Sequence, residues 1–356
     1  MLLFAVLVIV GLVVLSYGAD MFIKASVHMA VYFRVSAMII GMTIVAFGTS
    51  APEAAVSWIS TYYGQAGIAV GNVVGSNLFN ILVVLGITAI VKPLSVELKL
   101  LKAELPFMIV VTLLMLIFFL NGQLNNYEGA CLLLLFVLFN VIQYFFSRLE
   151  KLPENGDLVE VERHELKLGK EALLFILGLI LLVGGSRVFV YGAENLARIL
   201  GISEVIIGLT IVSIGTSLPE LAASLAAVRQ KQADIAIGNV IGSNIYNICL
   251  VLGGSVFFTD TIPMAAQFFA QDMVVLTFTS CILLPILHTQ MRMTKFEGMI
   301  LVGLYLLYTF LLLSKTLQRN ENIMWDLISI YMVAVMVLSI LRLALDIRAR
   351  FGSDKT

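Results

Sequence analysis

Long uninterrupted apolar runs dominate this chain, separated by short polar connections. They fall near residues 2–23, 36–61, 66–91, 104–121 and 127–147. After a charged stretch at 148–170 they resume near 171–193, 203–228, 233–257, 270–289 and 295–314, with one more at 324–346. Helical runs of about 18 or more apolar residues match the thickness of a bilayer. The pattern predicts spanning helices grouped five, five and one. The 148–170 stretch, with Pro153, Asn155 and Gly156 among its charges, reads as a linker.

Composition agrees with a membrane protein. The 356 residues are 60% hydrophobic and 13% charged, where a soluble domain carries about 25% charge. A net charge of −1 with no basic tract excludes a nucleic-acid partner. Cys131, Cys249 and Cys281 sit apart in apolar surroundings and read as small, buried, unpaired thiols. The first fifteen residues lack a basic segment and a cleavage pattern, so they read as part of the first span.

The two groups of five align at a constant offset of 167: Gly11 on Gly178, Gly18 on Gly185, Gly41 on Gly208 and Glu53 on Glu220. Gly71, Ser76 and Asn80 fall likewise on Gly238, Ser243 and Asn247. Residues 41–53, G-M-T-I-V-A-F-G-T-S-A-P-E, return at 208–220 as G-L-T-I-V-S-I-G-T-S-L-P-E. Residues 71–82, G-N-V-V-G-S-N-L-F-N-I-L, return at 238–249 as G-N-V-I-G-S-N-I-Y-N-I-C. Five spans per copy is an odd number, so the second copy enters the membrane from the opposite side. The expected fold is an all-α polytopic membrane protein of two inverted five-helix repeats, 1–147 and 171–314. The 148–170 linker joins them, and an additional C-terminal helix and tail follow at 315–356.

Of the 22 Lys and Arg residues, all but Arg187, Arg198, Lys315 and Arg319 fall on alternate connections of one side. The richer side is cytoplasmic by the positive-inside rule, which places the N-terminus outside and the C-terminus inside. Inverted repeats with interrupted helices point to a secondary transporter with a site at the midplane.

Glu53 and Glu220 stand inside apolar runs, where a carboxylate costs roughly 2.5–3.5 kcal/mol to insert. Helical spacing places Thr49, Ser50 and Glu53 on one side, and Thr216, Ser217 and Glu220 likewise. Pro52 and Pro219 cannot donate to the preceding turn. Backbone oxygens around Ala46–Gly48 and Ser213–Gly215 are therefore expected to be released, and in a membrane they need a partner. Ser76 and Asn80 share a face, as do Ser243 and Asn247. Asn77 and Asn244 lie on neighbouring faces, where helix-to-helix hydrogen bonding and ion contact stay equally open. Glycines 71, 75, 238 and 242 form two G-x-x-x-G spacings for close packing.

A cation satisfies carboxylates, hydroxyls and bare carbonyls together. The bland alternative, a proline kink beside a neutral glutamate, does not account for the duplication. No Cys or His is placed with the set, against zinc and copper; His28, His164 and His288 sit at connections or span ends and read as solvated. Six to eight oxygens in flexible geometry suit Ca²⁺, whereas Mg²⁺ holds its waters too tightly. Two negative charges match one Ca²⁺ or about two Na⁺ by simple charge count.

The duplicated segments resemble the α-1 and α-2 repeats of the sodium/calcium exchanger family of Ca²⁺/cation antiporters, and in layout the compact prokaryotic type. The resemblance covers residues 1 to about 314. It implies that Glu53 and Glu220 are shared Ca²⁺ and Na⁺ ligands. Thr49 and Thr216 would serve the calcium site with the carbonyls of Ala46 and Ser213. Ser50, Ser76, Ser217 and Ser243 would build flanking sodium sites, and Asn80 and Asn247 would complete the centre. Many family members carry Asp at one of these two Asn positions, so this chain has one carboxylate fewer, which weakens the expectation of K⁺ co-transport.

The expected function is therefore Na⁺/Ca²⁺ antiport in a prokaryotic inner membrane, without cofactors, with lipid as surroundings and the extra helix as a packing or homodimer contact. Ca²⁺/H⁺ exchange is the alternative. An intramembrane hydrolase is disfavoured because Ser50 and Ser217 have no embedded His or Lys as base. A passive channel has no need of two inverted, broken helices.

Overall fold

The computed structural model describes residues 1–149, 167–202, 207, 211, 213–263, 266–316 and 321–353. The linker expected at 148–170, His164 within it, much of the 203–212 segment including Gly208, and the final tail lie wholly or mostly outside these residues. Among the described residues nine helices are long and apolar enough to cross a membrane, ten when a bent pair is counted as one span.

Two 32-residue helices, α1 (Leu2–Phe33) and α7 (Leu168–Ile199), form the longest pair. At 1.5 Å per residue each runs about 48 Å, so it crosses a core of about 30 Å tilted or projects from it. Glycines set their spacing. A Cβ at Gly11 would lie 2.4 Å from Phe189 N, at Gly18 2.4 Å from Leu182 N, at Gly178 2.6 Å from Phe22 N and at Gly185 2.4 Å from Leu15 N. The partner numbers fall as the glycine numbers rise, so the helices run antiparallel, as inverted copies must.

The first G-T-S-x-P-E segment forms α2 (Ala37–Thr49) and α3 (Ala51–Tyr62), bent by 43° at Ser50. Pro52 lies in the first turn of α3, where its missing N–H costs nothing. A π-helical turn, Gly41–Val45, lies inside α2. The second copy keeps a helical turn Ser213–Gly215 before α8 (Leu218–Arg229), with Pro219 again in the first turn.

The centre is made by α4 (Ala66–Val91) and α9 (Ala233–Phe258), whose spanning windows are 83% and 94% buried within the protein. Each changes to a π-helical turn at the matched asparagine, Asn80–Leu85 and Asn247–Leu252. Such turns recur at functional sites. Around them stand α5 (Leu100–Asn121) and α6 (Asn126–Leu149) in the first repeat, and α10 (Ala266–His288) and α11 (Lys295–Thr316) in the second.

The fold is all-α as expected, and among the described residues its connections carry four short strands. β1 (Leu94–Ser95) pairs antiparallel with β4 (Arg292–Met293), and β2 (Gln123–Asn125) with β3 (Thr261–Pro263). Each ribbon ties a connection of one repeat to a connection of the other. The apolar runs gave no sign of them, because segments this short have no readable alternation.

The additional helix α12 (Glu321–Ser353) packs on the second repeat. Tyr331 OH donates to Ile300 O at 2.8 Å, and Arg342 Nη1 to Glu297 Oε1 at 2.8 Å. Ile330, Val333 and Val337 on its other side are exposed, as a lipid-facing stripe is. Two cysteines correct the expectation of buried thiols: Cys249 is buried, but Cys131 and Cys281 are exposed. At a membrane surface an apolar environment lies outside the protein too.

Candidate functional site

Both glutamates are fully buried where the broken helices meet α4 and α9. Ser217 Oγ, from the second copy, donates to Glu53 Oε1 at 3.1 Å, and Ser76 Oγ donates to the same oxygen at 3.4 Å. Thr216 lies beside the Glu53 carboxylate and Thr49 beside that of Glu220, and the two carboxylates are near enough to repel each other. Each carboxylate thus faces hydroxyls from the opposite repeat.

Thr49 Oγ1 donates within its own turn to Val45 O at 3.2 Å and reaches Asn239 Oδ1 at 3.1 Å. Ser243 Oγ stands 3.4 Å from it. Four asparagines form a crossed pair between α4 and α9. Asn80 Nδ2 donates to Asn244 Oδ1 at 3.3 Å, and Asn247 Nδ2 to Asn77 Oδ1 at 3.1 Å. Asn77 and Asn244 therefore do the bridging left open by the sequence. They occupy the amide nitrogens of Asn80 and Asn247 and leave the two Oδ1 atoms as the available ends.

Seven buried oxygen atoms of this cluster have no hydrogen-bond partner among the described residues: Ser50 Oγ, Glu53 Oε2, Asn80 Oδ1, Thr216 Oγ1, both carboxylate oxygens of Glu220 and Asn247 Oδ1. A buried polar group without a partner costs about 1–3 kcal/mol, more when charged. With both glutamates ionised five of the seven can only accept, so no rearrangement among themselves satisfies them. Positive charge does. No group of three or more His, Cys, Asp or Glu suited to a resident metal occurs among the described residues. The cluster instead combines two carboxylates with neutral oxygens.

The released carbonyls differ between the copies. Ala46 O still accepts from Ser50 N at 3.0 Å, contrary to expectation, because the helix loses its register only after Thr49. In the second copy the matching amide, Ser217 N, donates to Ile214 O at 3.1 Å, one residue beyond Ser213. Ser186 Oγ of α7 caps Gly215 O at 2.8 Å, fixing that break against the long helix.

Two residues behind the cluster escaped the sequence reading. Asn72 Nδ2 donates to Glu53 O at 3.1 Å and Ser57 Oγ at 2.9 Å, and its repeat mate Asn239 donates to Ser224 Oγ at 3.2 Å. The signal was present, since all four belong to pairs at the 167-residue offset. His28, expected in solvent, is bound to Glu171 at 2.8 Å and joins α1 to α7.

A cavity of about 390 Å³ leads to the cluster between α3, α4, α7, α8 and α11, reaching Pro52, Gly71, Gly75, Thr216 and Pro219. The opposite approach is closed by glycine packing of α9 on α2: a Cβ at Gly238 would lie 2.7 Å from Met38 O, and at Gly242 2.6 Å from Met42 O. Gly71, the mate of Gly238, has no such neighbour within 4 Å among the described residues. Among the described residues the cluster is reached through this cavity.

The model of the family described as sodium/calcium exchanger protein matches residues 3–145 and 170–314. A putative antiporter, CaxA of Alkalimonas amylolytica, is 40% identical over 88% of this chain and 100% of its own length. The sodium/calcium exchanger MaX1 of Methanosarcina acetivorans is 32% identical over 86% of this chain and 97% of its own. The solved structure of the sodium-calcium exchanger NCX_Mj soaked with Na⁺ and Ca²⁺ superimposes with a TM-score of 0.74 at 31% identity, covering 86% of this chain and 97% of that one.

Proposed function

The chain belongs to the sodium/calcium exchanger family, and on that premise we propose that it is a secondary active antiporter exchanging Na⁺ for Ca²⁺ by alternating access. The observation that carries this reading is the set of seven buried, partnerless oxygens around two carboxylates. Glu53 and Glu220 bind either ion. Thr49, Thr216, Asn80 and Asn247, with the Ala46 and Ser213 carbonyls, serve Ca²⁺, while Ser50, Ser76, Ser217 and Ser243 serve flanking Na⁺. Two carboxylates balance one Ca²⁺ or about two Na⁺, and any further Na⁺ leaves the site positive, so exchange of one Ca²⁺ for more than two Na⁺ moves charge. Na⁺-loaded vesicles are expected to take up ⁴⁵Ca²⁺ only while the Na⁺ gradient lasts. Uptake that follows a pH gradient without Na⁺ would replace this reading with Ca²⁺/H⁺ exchange.

K⁺ is expected to have no part, because one Ca²⁺ already neutralises both carboxylates. Replacing K⁺ by choline on both sides should leave the exchange rate unchanged; a rate that falls with K⁺ removal would show a third bound cation.

Residues 1–147 and 171–314 act as the two repeats, 148–170 as the linker and 315–356 as the added helix and tail, with the N-terminus outside and the C-terminus in the cytoplasm. Both ribbons support the grouping of connections by side, since each pairs two that the charge count places together; the excess of Lys and Arg supports the orientation. Labelling of a cysteine at Gln123 by an impermeant reagent in whole cells tests it. A homodimer through α12 would form over Ile330, Val333 and Val337, and a one-subunit mass in nanodiscs would exclude it.

A further inference from the structure

Arg187 stands in the wall of the cavity that leads to the cluster, one residue beyond Ser186, whose hydroxyl holds Gly215 O. It is exposed, and among the described residues it has no ion-pair partner. The other charged wall residue, Glu194, lies two turns further along α7 and is paired with Arg198 at 3.6 Å. Asp272 is set back behind Tyr308, whose hydroxyl binds it at 2.7 Å. The charge nearest the cluster along this wall is therefore positive. Packing of the repeat does not require it, because the matched position in the first copy is Asp20, bound to Arg229 at 3.2 Å.

We propose that Arg187 is a specificity-determining residue of the access path, disfavouring divalent over monovalent cations arriving from this face. The proposal rests on the exchange reading above. A fixed positive potential multiplies the association constant of an ion by a factor that compounds with its charge. A unit charge about 10 Å away in water-like surroundings changes monovalent binding about twofold, and divalent binding about fourfold. Residence at the site on this face is thus shifted toward Na⁺, and release of Ca²⁺ into the cavity is favoured.

The test measures ⁴⁵Ca²⁺ and ²²Na⁺ half-saturation on this face for wild type, Arg187→Gln and Arg187→Lys. Arg187→Gln is expected to lower the Ca²⁺ constant about fourfold and the Na⁺ constant, per ion, about twofold, with Arg187→Lys restoring both. Choline chloride at 0.15 M should shrink the fourfold Ca²⁺ difference to about 1.5-fold, since the screening length there is about 8 Å. Equal changes for the two ions, a change indifferent to ionic strength, or a lysine variant as altered as the glutamine variant would overturn the proposal. Wild type lacking Na⁺-driven Ca²⁺ uptake would instead overturn the exchange reading.

Discussion

Glu53→Gln and Glu220→Gln should each abolish Na⁺-driven Ca²⁺ uptake while the protein still folds and inserts. In the wild type two carboxylates meet one divalent ion. Removing one leaves Ca²⁺ with an uncompensated positive charge in an apolar interior. At about 4 Å and an effective dielectric of 20 the attraction lost between one carboxylate and the divalent ion is about 8 kcal/mol, or about a millionfold in affinity. Folding should not suffer. Among the described residues Glu53 Oε2 and both Glu220 oxygens have no hydrogen-bond donor, so glutamine removes a buried charge without breaking a bond seen there. The amide oxygen of Glu53→Gln can still accept from Ser217 and Ser76. Thermal stability without ions should hold or rise, and the stabilisation given by Ca²⁺ should disappear. Undiminished uptake in either variant would remove that glutamate from the site. A fall in ion-free stability would instead assign it a structural role.

The sequence made the fold and most of the cluster legible for one physical reason. Polar residues inside a bilayer are costly, so those that stand there, Glu53 and Glu220 above all, mark themselves, and the 167-residue offset finds their partners. What stayed hidden depends on three-dimensional direction. Asn77 and Asn80 are neighbours in one motif, yet only the crossed bonds to Asn244 and Asn247 show which amide bridges and which oxygen stays available. The Ala46 carbonyl looked released because Pro52 cannot donate to the turn before it, but the helix keeps its bond from Ser50 N. Gly71 and Gly238 sit in near-identical sequences, yet among the described residues only Gly238 has a close neighbour. A repeated sequence cannot encode which copy is closed; the conformation decides that.

That contrast carries the second large effect. Gly238→Ala should drive the protein out of this conformation, and Gly71→Ala should not. A methyl group at Gly238 would sit 2.7 Å from Met38 O and 3.1 Å from Met42 N, backbone atoms of α2 that yield only if the helices part. Overpacking of this kind costs about 1–3 kcal/mol, against a helix-propensity gain of up to about 1 kcal/mol for replacing glycine. The net displacement, of order 1–2 kcal/mol, shifts a two-state equilibrium about tenfold. At Gly71 a methyl group meets none of the described residues within 4 Å, so the propensity gain acts alone against them and the open face is kept. In alternating access the two faces exchange roles, and the Gly71 face must then close on its own methyl group. Gly71→Ala should therefore keep the cavity accessible yet slow exchange, whereas Gly238→Ala should make the cavity inaccessible. Val56 lines the cavity, so the rate at which an aqueous thiol reagent labels Val56→Cys, in a background without native cysteines, reads both. Labelling as fast as wild type is expected with Gly71→Ala and about tenfold slower with Gly238→Ala. Equal rates in the two variants would mean that the glycine contacts of α9 on α2 do not hold the opposite face closed.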